Sequence, residues 1–563
     1  MTIEPGKKST IPQPEDPPTF DPEVESGTVS TSTVDGGLRR TLGNRQIQLI
    51  AVGGSIGTAI FITIGTALAH SGPGSLILAF VCQNIILAFV NNCMAEMTVY
   101  MPVDGGFIRL ASKWVDPAWG FMAGWNFFLY EALNIPFEIT AIYSILSWWR
   151  DDIPPAVVCA VCIFVYGALN CLVARIYGES EFWLSGGKVL LIFILFCFTF
   201  VTMVGGNPEG DRYGFRHWRN FGAFAEYLHP GSLGRFEGFL SAIWYAAFTC
   251  VGPEYISMIA AEAKHPRVYL KSAFKTAYWR FGAFFIGSSL CVGIIIAHND
   301  PVLVDIANGE STRSGAASSP YVIAMENLGV SVLPHIVNAL LITTVFSAGN
   351  TYVYASSRSL YGLSLDGKAP RFLRRCTKRG VPIYCIAVSI SFSLLSFLQL
   401  SNSSSSVLTM LINVLSGAAV INFIVMSATY IRFFKACKYQ GLDRTSLPYK
   451  GYLQPWSSYI AFTWMAGIAI FYGYASFTPW NVTQFFTHYT MILFACLTFS
   501  GWKLVHKTRF LSPRDIDLRW EAPEISAYED AAAIDDPPIG FWKEIFGFLG
   551  HLITQRPRPG FRA

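Results

Sequence analysis

The chain has 563 residues, 52% of them hydrophobic and only 14% charged, where a soluble protein of this size carries about 25% charge. A formal net charge of +4 is too small to point to nucleic acid, and no basic run or zinc-ligand spacing supports that reading. Long apolar runs recur from end to end, which is the composition of an all-α polytopic membrane protein.

Residues 1–45 are polar and rich in Pro, Ser, Thr and acids. They lack the apolar core of a signal peptide, and a disordered cytoplasmic tail is expected there. Apolar runs then follow near 46–69, 75–100, 119–149, 154–173, 181–205, 236–260, 278–298, 332–363, 382–400, 407–431, 457–477 and 481–505. These are about twelve spans, each near the roughly 20 residues a bilayer requires, in a transmembrane domain over 46–506. An even number puts both termini on one side. Arg109, Lys113, Arg175, Lys264, Arg267, Lys271 and Lys275 fall in one set of loops, as do the basic residues of 368–379 and 432–450. The positive-inside rule therefore makes that side, with both termini, cytoplasmic. Arg212, Arg216 and Arg219, after span five, are the exception. The tail, 507–563, contains FWKEIFGFLGHLI over 541–553, with Phe541, Ile545, Phe548, Leu549 and Leu552 on one helical face. It is too short to span, and either lies in the membrane interface or packs on the protein. Most of the 12 cysteines lie in apolar runs and read as buried free thiols.

Span one contains GGSIGTAIFIT, Gly53–Thr63. Glycine costs a helix about 1 kcal/mol relative to alanine. Gly53 and Gly57 have the spacing of a close helix–helix contact, whereas Gly54 does not fit that role. Adjacent glycines beside Ser55 and Thr58 also suit an unwound segment, tolerated in lipid only where it lines a cavity. Both readings stand on this stretch alone. Span six, WYAAFTCVGPEYISMIAAEAKHPR, has Gly252-Pro253 in its middle, followed by Glu254. Pro253 cannot donate to the helix ladder and biases Gly252 away from helical angles. A proline kink would explain this break by itself. Two interrupted helices roughly five spans apart are what two inverted five-helix repeats, with a site between them, produce.

With these residues the chain resembles fungal amino-acid permeases of the amino acid–polyamine–organocation superfamily. The resemblance covers roughly residues 42–510. It is carried by GGSIGTAIF, by AEMTVYMPVDGGFIRLASKWVDPAWGFMAGWN, by ARIYGESEFWLSGGKVL, by EAKHPR and by YASSRSLYGLSLDGKAP. It implies two inverted five-helix repeats in the LeuT-like arrangement, with broken helices one and six and two extra helices. It also implies proton-coupled amino-acid uptake by alternating access, with the proton as coupling ion and no other cofactor. By the same resemblance the backbone of Ser55, Ile56, Gly57, Thr58 and Ala59 holds the substrate carboxylate. Phe248, Thr249, Cys250 and Gly252 face its amino group. Ala59 and His265 depart mildly from the family pattern. Glu131 departs strongly, standing where relatives carry Trp or another neutral residue.

Ionisable groups at membrane depth are costly and functional by default. Lys188 matches a family lysine that substitutes for a sodium ion, and is either a proton-coupling group or a structural ion-pair partner. Glu138 and Glu254 match acids common in the family, and either hold the coupling proton or brace the broken helices. Glu96 and Glu262 are expected at the cytoplasmic gate, with Arg267 and Arg358 as the nearest basic partners. Glu131 and Glu138, seven residues apart, share one face of span three. Glu131 can meet a cationic substrate side chain, can be protonated, or can pair with another residue. MPVDGGF, ALAHSGPGS and LGVSVLPHIVNALL resemble the dicarboxylic branch of the family, yet a bare Glu131 would repel an acidic substrate unless protonated, and polar and neutral amino acids, including the acidic ones, are the expected substrates. The alternatives to a transporter of amino acids are a non-transporting sensor and an amine or polyamine transporter of the same fold. An enzyme is not expected, since no nucleophile elbow, metal triad or phosphate loop is present. Lys7 and Lys8 are candidate acceptors for ubiquitin-ligase machinery, and the sequons at Asn402 and Asn481 lie too close to span ends for glycosylation to be expected.

Overall fold

The computed structural model describes residues 40–150, 152–171, 174–308, 319–377, 380–401, 404–477 and 479–554. Lys7, Lys8 and Asn402 lie outside them. The described residues are helical, and their β pairing is confined to two isolated bridges.

Helix α1 (Asn44–Ser55) is interrupted at Ile56–Gly57 and resumes as a short 3-10 turn over Thr58–Ile60. Helix α2 (Thr63–Tyr100) contains a sharp turn at Gly72, whose φ of +75° suits glycine, followed by Pro73. That turn separates the first passage from the second, in the gap between the apolar runs at 46–69 and 75–100. The turn is held by the loop after span five, with Gly74 N–H donating to the Ala223 carbonyl at 2.6 Å. Helix α3 (Gly106–Trp114) leads into α4 (Pro117–Leu146), capped by Asp116, whose carboxylate accepts the Ala118 N–H at 2.8 Å. Then come α5 (Pro155–Asn170), α6 (Ala174–Met203) and the short α7 (Arg216–Asn220). The sixth passage is α8 (Gly231–Thr249) and α9 (Pro253–Met258). The seventh is α10 (Pro266–Arg280), continued through a π turn into α11 (Gly287–Ile295). Its helix starts well before the apolar run at 278, so Lys271 and Lys275 lie on helix rather than in a loop. Two short helices, α12 (Pro301–Ala307) and α13 (Pro320–Asn327), precede α14 (Leu333–Leu365). Helices α15 (Ile383–Phe392), α16 (Ser404–Gln440), α17 (Trp456–Phe471) and α18 (Val482–His506) complete the bundle.

Among the described residues, seven helical spans are by themselves long and apolar enough to cross a membrane. Several of the other expected passages are broken or short. Phe164, Phe193, Phe200 and Leu497 are largely exposed, an outward apolar surface that a bilayer covers. The polar groups are inside instead: Glu96, Glu131, Glu181 and Lys188 are fully buried. The most extensive helix–helix contact joins α4 to α14.

After α18 the chain crosses one face of the bundle. Leu511 N–H donates to the Val115 carbonyl at 3.0 Å, and Tyr100 hydroxyl to the Leu518 carbonyl at 2.9 Å. Helix α19 (Ala522–Asp535) places Glu529 against Arg267, whose backbone N–H it accepts at 2.7 Å. Helix α20 (Phe541–Thr554) is fastened to the start of α1, where Glu544 accepts the Arg45 N–H at 2.9 Å. Trp542 and Phe546 remain exposed. Arg40 stacks over the Tyr528 ring at 4.6 Å, so the two ends of the described chain meet on one face of the bundle.

Candidate functional site

The glycines of the first break divide between two tasks. Gly53 and Gly54 are still helical. A Cβ on Gly53 would collide with the Glu181 carboxylate of α6, and one on Gly54 would lie 2.7 Å from the Tyr255 ring of α9. These are close-packing glycines. Gly57 lies at the break, where Ile56 and Gly57 are extended. A Cβ there would lie 3.1 Å from the Tyr352 hydroxyl and 3.3 Å from Glu138 Oε1. Packing and unwinding therefore coexist within one short stretch.

Both helix ends at this break are occupied by charged side chains of the complementary sign. Lys188 Nζ donates to the Gly53 carbonyl at 2.7 Å, at the partial-negative C-terminal end of α1. It stands 3.9 Å from Glu181. On the other side of the break, the Thr58 hydroxyl donates to Glu138 Oε2, and the Thr58 amide faces the same carboxylate. Glu138 thus occupies the partial-positive end of the resumed helix. The Ser55 hydroxyl turns back to the Ala51 and Val52 carbonyls, at 2.8 and 3.1 Å. Ile56 and Thr58 are buried and Ala59 is half-buried.

The second break follows from Gly252-Pro253. Pro253 has no N–H for the Thr249 carbonyl. Gly252 N–H goes to Glu254 Oε2 at 3.2 Å rather than to the Phe248 carbonyl. Gly252 has φ +156° and ψ −44°, a conformation that favours glycine. The Phe248 and Thr249 carbonyls are left without helix donors at the C-terminal end of α8. Cys250 is buried, its sulfur accepting from Asn84 Nδ2 at 3.3 Å. The two breaks adjoin, since a Cβ on Gly252 would lie 3.8 Å from Ser55 Cβ.

Glu131 lies beside this junction. Its neighbours are Glu254 and the Tyr255 hydroxyl. The Tyr255 hydroxyl is the polar group nearest its carboxylate, and no cation among the described residues reaches it. Tyr255 and Tyr352 face each other with ring centroids 6.5 Å apart.

The structure brings in one acid that the sequence reading missed. Glu181 Oε1 accepts from Ser347 Oγ at 2.5 Å and from Ser185 Oγ at 3.0 Å, beside Lys188. Its seven-residue spacing from Lys188 was the available signal.

Glu262 and Glu96 lie away from the breaks. Glu262 Oε1 is 3.8 Å from Arg358 Nε, the partner the sequence offered. The Glu262 carbonyl also accepts the Thr41 and Leu42 amides at 3.0 and 2.9 Å, tying the approach to α1 to the end of the sixth passage. Glu96 is held by Arg444 at 2.6 and 2.7 Å, with Tyr430 hydroxyl and Gly451 N–H as further donors. Arg267 is committed to Glu529 and Ser526 of α19, not to either of these acids. Two clefts open elsewhere on the surface, one of about 620 Å³ between α8 and α17 and one of about 330 Å³ beside Arg267 and Arg519. The breaks themselves are buried.

A buried pair of interrupted helices, carrying charges inside a bundle with an apolar exterior, defines a multi-pass membrane permease. The chain belongs to the amino acid permease family, whose model matches residues 46–513. It is 43% identical to the General amino acid permease AGP2 of Saccharomyces cerevisiae, over 87% of this chain and 84% of that protein. It is 35% identical to the Dicarboxylic amino acid permease of the same yeast, over 85% and 79% of the two chains. It is also 35% identical to the Proline-specific permease of Emericella nidulans, over 88% and 89%.

Proposed function

We propose that the chain is a secondary active transporter that imports amino acids across the plasma membrane by proton symport with alternating access, its termini in the cytoplasm. The observation that carries this reading is the pair of adjoining helix breaks, each braced by a buried carboxylate, with Lys188 on the first. The names of the relatives support amino acids as cargo.

A zwitterion needs one anion-seeking and one cation-seeking group. The amides of Gly57, Thr58 and Ala59 serve the carboxylate, and the free Phe248 and Thr249 carbonyls serve the ammonium. Glu138 competes with a substrate carboxylate for Thr58. Protonation of Glu138 removes that competition, which couples proton entry to substrate binding. Lys188 and Glu181 provide a second exchangeable proton beside the same break. Glu96–Arg444 and Glu262–Arg358 serve as fixed points on the cytoplasmic side.

Uptake of a panel of labelled amino acids by permease-deficient yeast expressing the chain tests this reading. Acidic external pH should raise saturable uptake, and an uncoupler should abolish it. Uptake insensitive to both would exclude symport. No uptake of any amino acid at normal surface abundance would exclude the transporter.

A further inference from the structure

The charges at the breaks do not balance. Lys188 lies in range of Glu138 and Glu181 but not of Glu131. Glu254 spends one oxygen on the Gly252 amide. Glu131 has the Tyr255 hydroxyl as its polar neighbour and no cation in range among the described residues, with 0% of its surface exposed. Such a carboxyl group is expensive to bury in its ionised form, and is either protonated when the site is empty or ionised when a positive group reaches it. The surroundings are built for one. The hydroxyls of Tyr130, Tyr255 and Tyr352 interact with one another and with Glu131, and the Tyr255 ring packs directly on Gly54 at the first break. The open carbonyls of Phe248 and Thr249 lie on the adjoining break, so the free polar groups here seek positive charge.

A neutral zwitterion does not resolve this. Its carboxylate and ammonium cancel, and Glu131 stays as lonely as before. Resting on the transport reading above, we infer that Glu131, with Tyr255 and Tyr352, is a subsite for a second positive charge, and that the preferred substrates carry a cationic side chain such as an alkylammonium or guanidinium. The carboxylate of such a substrate faces the first break, its α-ammonium faces the α8 carbonyls, and the distal cation is received by Glu131. The subsite is specificity-determining: it distinguishes substrates by the charge on a group remote from the amino-acid head.

Arginine and citrulline are near-isosteres that differ in that charge. Uptake and purified-protein binding of labelled arginine, citrulline and agmatine, which lacks the carboxylate, should be measured for the full chain and for Glu131→Gln and Glu131→Asp. The wild-type chain should favour arginine over citrulline by at least about tenfold in KM. Glu131→Gln should collapse that ratio through the arginine KM, and Glu131→Asp should restore part of it. Equal handling of arginine and citrulline by the wild-type chain, or an unchanged ratio in Glu131→Gln, overturns the subsite while leaving amino-acid transport intact. Agmatine bound as tightly as arginine, with the preference still lost in Glu131→Gln, supports the subsite and removes the amino-acid reading. Absence of binding and uptake of all three compounds overturns both.

Discussion

The two helix breaks have the same construction and opposite electrostatic balance. At the first, Lys188 sits on the C-terminal end of α1 and Glu138 on the N-terminal end of the resumed helix, so each partial charge meets its opposite within the protein. At the second, Glu254 meets the N-terminal end of α9, while among the described residues no cation faces the C-terminal end of α8 or Glu131, whose neighbours are Glu254 and Tyr255. The first break has an opposite charge at each helix end and must be opened by a proton or a substrate. The second is incomplete and awaits a positive charge. Helix geometry alone would have made them equivalent. The difference lies in side chains from α4 and α6.

Lys188→Met should produce the largest effect. It removes the cation at the first break and leaves Glu181 buried with only Ser185 and Ser347 hydroxyls. Breaking one side of a buried pair costs about 3–5 kcal/mol. Uptake, normalised to surface abundance, should fall about a hundredfold or more. Near-normal acid-stimulated uptake in this variant would show that the first break does not depend on its cation. Gly54→Ala comes next. Its methyl meets the Tyr255 ring at 2.7 Å, so the junction between the breaks must spread, at about 1–3 kcal/mol. Uptake should drop while Gly105→Ala, beside only Arg109 Cβ at 3.8 Å but with a φ of +73°, should lose stability without a comparable change in substrate affinity. Thermal unfolding and KM, measured on both, separate the two causes. Thr58→Val removes the hydroxyl donor to Glu138 and should cost about 1–2 kcal/mol, read as a lower Tm of the purified protein.

Much of this architecture was legible in the sequence. The breaks were readable because glycine and proline act locally: Gly252-Pro253 ends α8 by a missing N–H, whatever surrounds it. The turn at Gly72-Pro73 rests on the same local chemistry, although only the gap between the first two apolar runs marked it in the sequence. Glu131, Glu138, Lys188 and Glu254 stood out because a charge in an apolar run is rare. Glu181 did not, because hydropathy puts the start of the span at this residue whereas the helix starts at Ala174. The partner of Glu96 was out of reach for another reason. Arg444 is 348 residues away and was read among loop charges, and nothing local to either residue records the pairing. Which acid is satisfied is a property of the packed bundle. That is why Glu96 and Glu131, alike in sequence as buried acids, differ so sharply in structure.

The smallest expected effect is the one that discriminates most. Glu131→Gln keeps size and shape but removes the charge. If the second break lacks an internal cation, this substitution breaks no ion pair and relieves a buried carboxylate, so the Tm of the substrate-free protein should stay level or rise, within about 1 kcal/mol. Glu96→Gln is the control from the opposite case. It strands Arg444, which has two hydrogen bonds to that carboxylate, and should destabilise by about 3–5 kcal/mol. If Glu131→Gln destabilised as much as Glu96→Gln, then Glu131 would have a partner inside the chain. The second break would then be neutralised like the first, and no charge would be left for the substrate to supply.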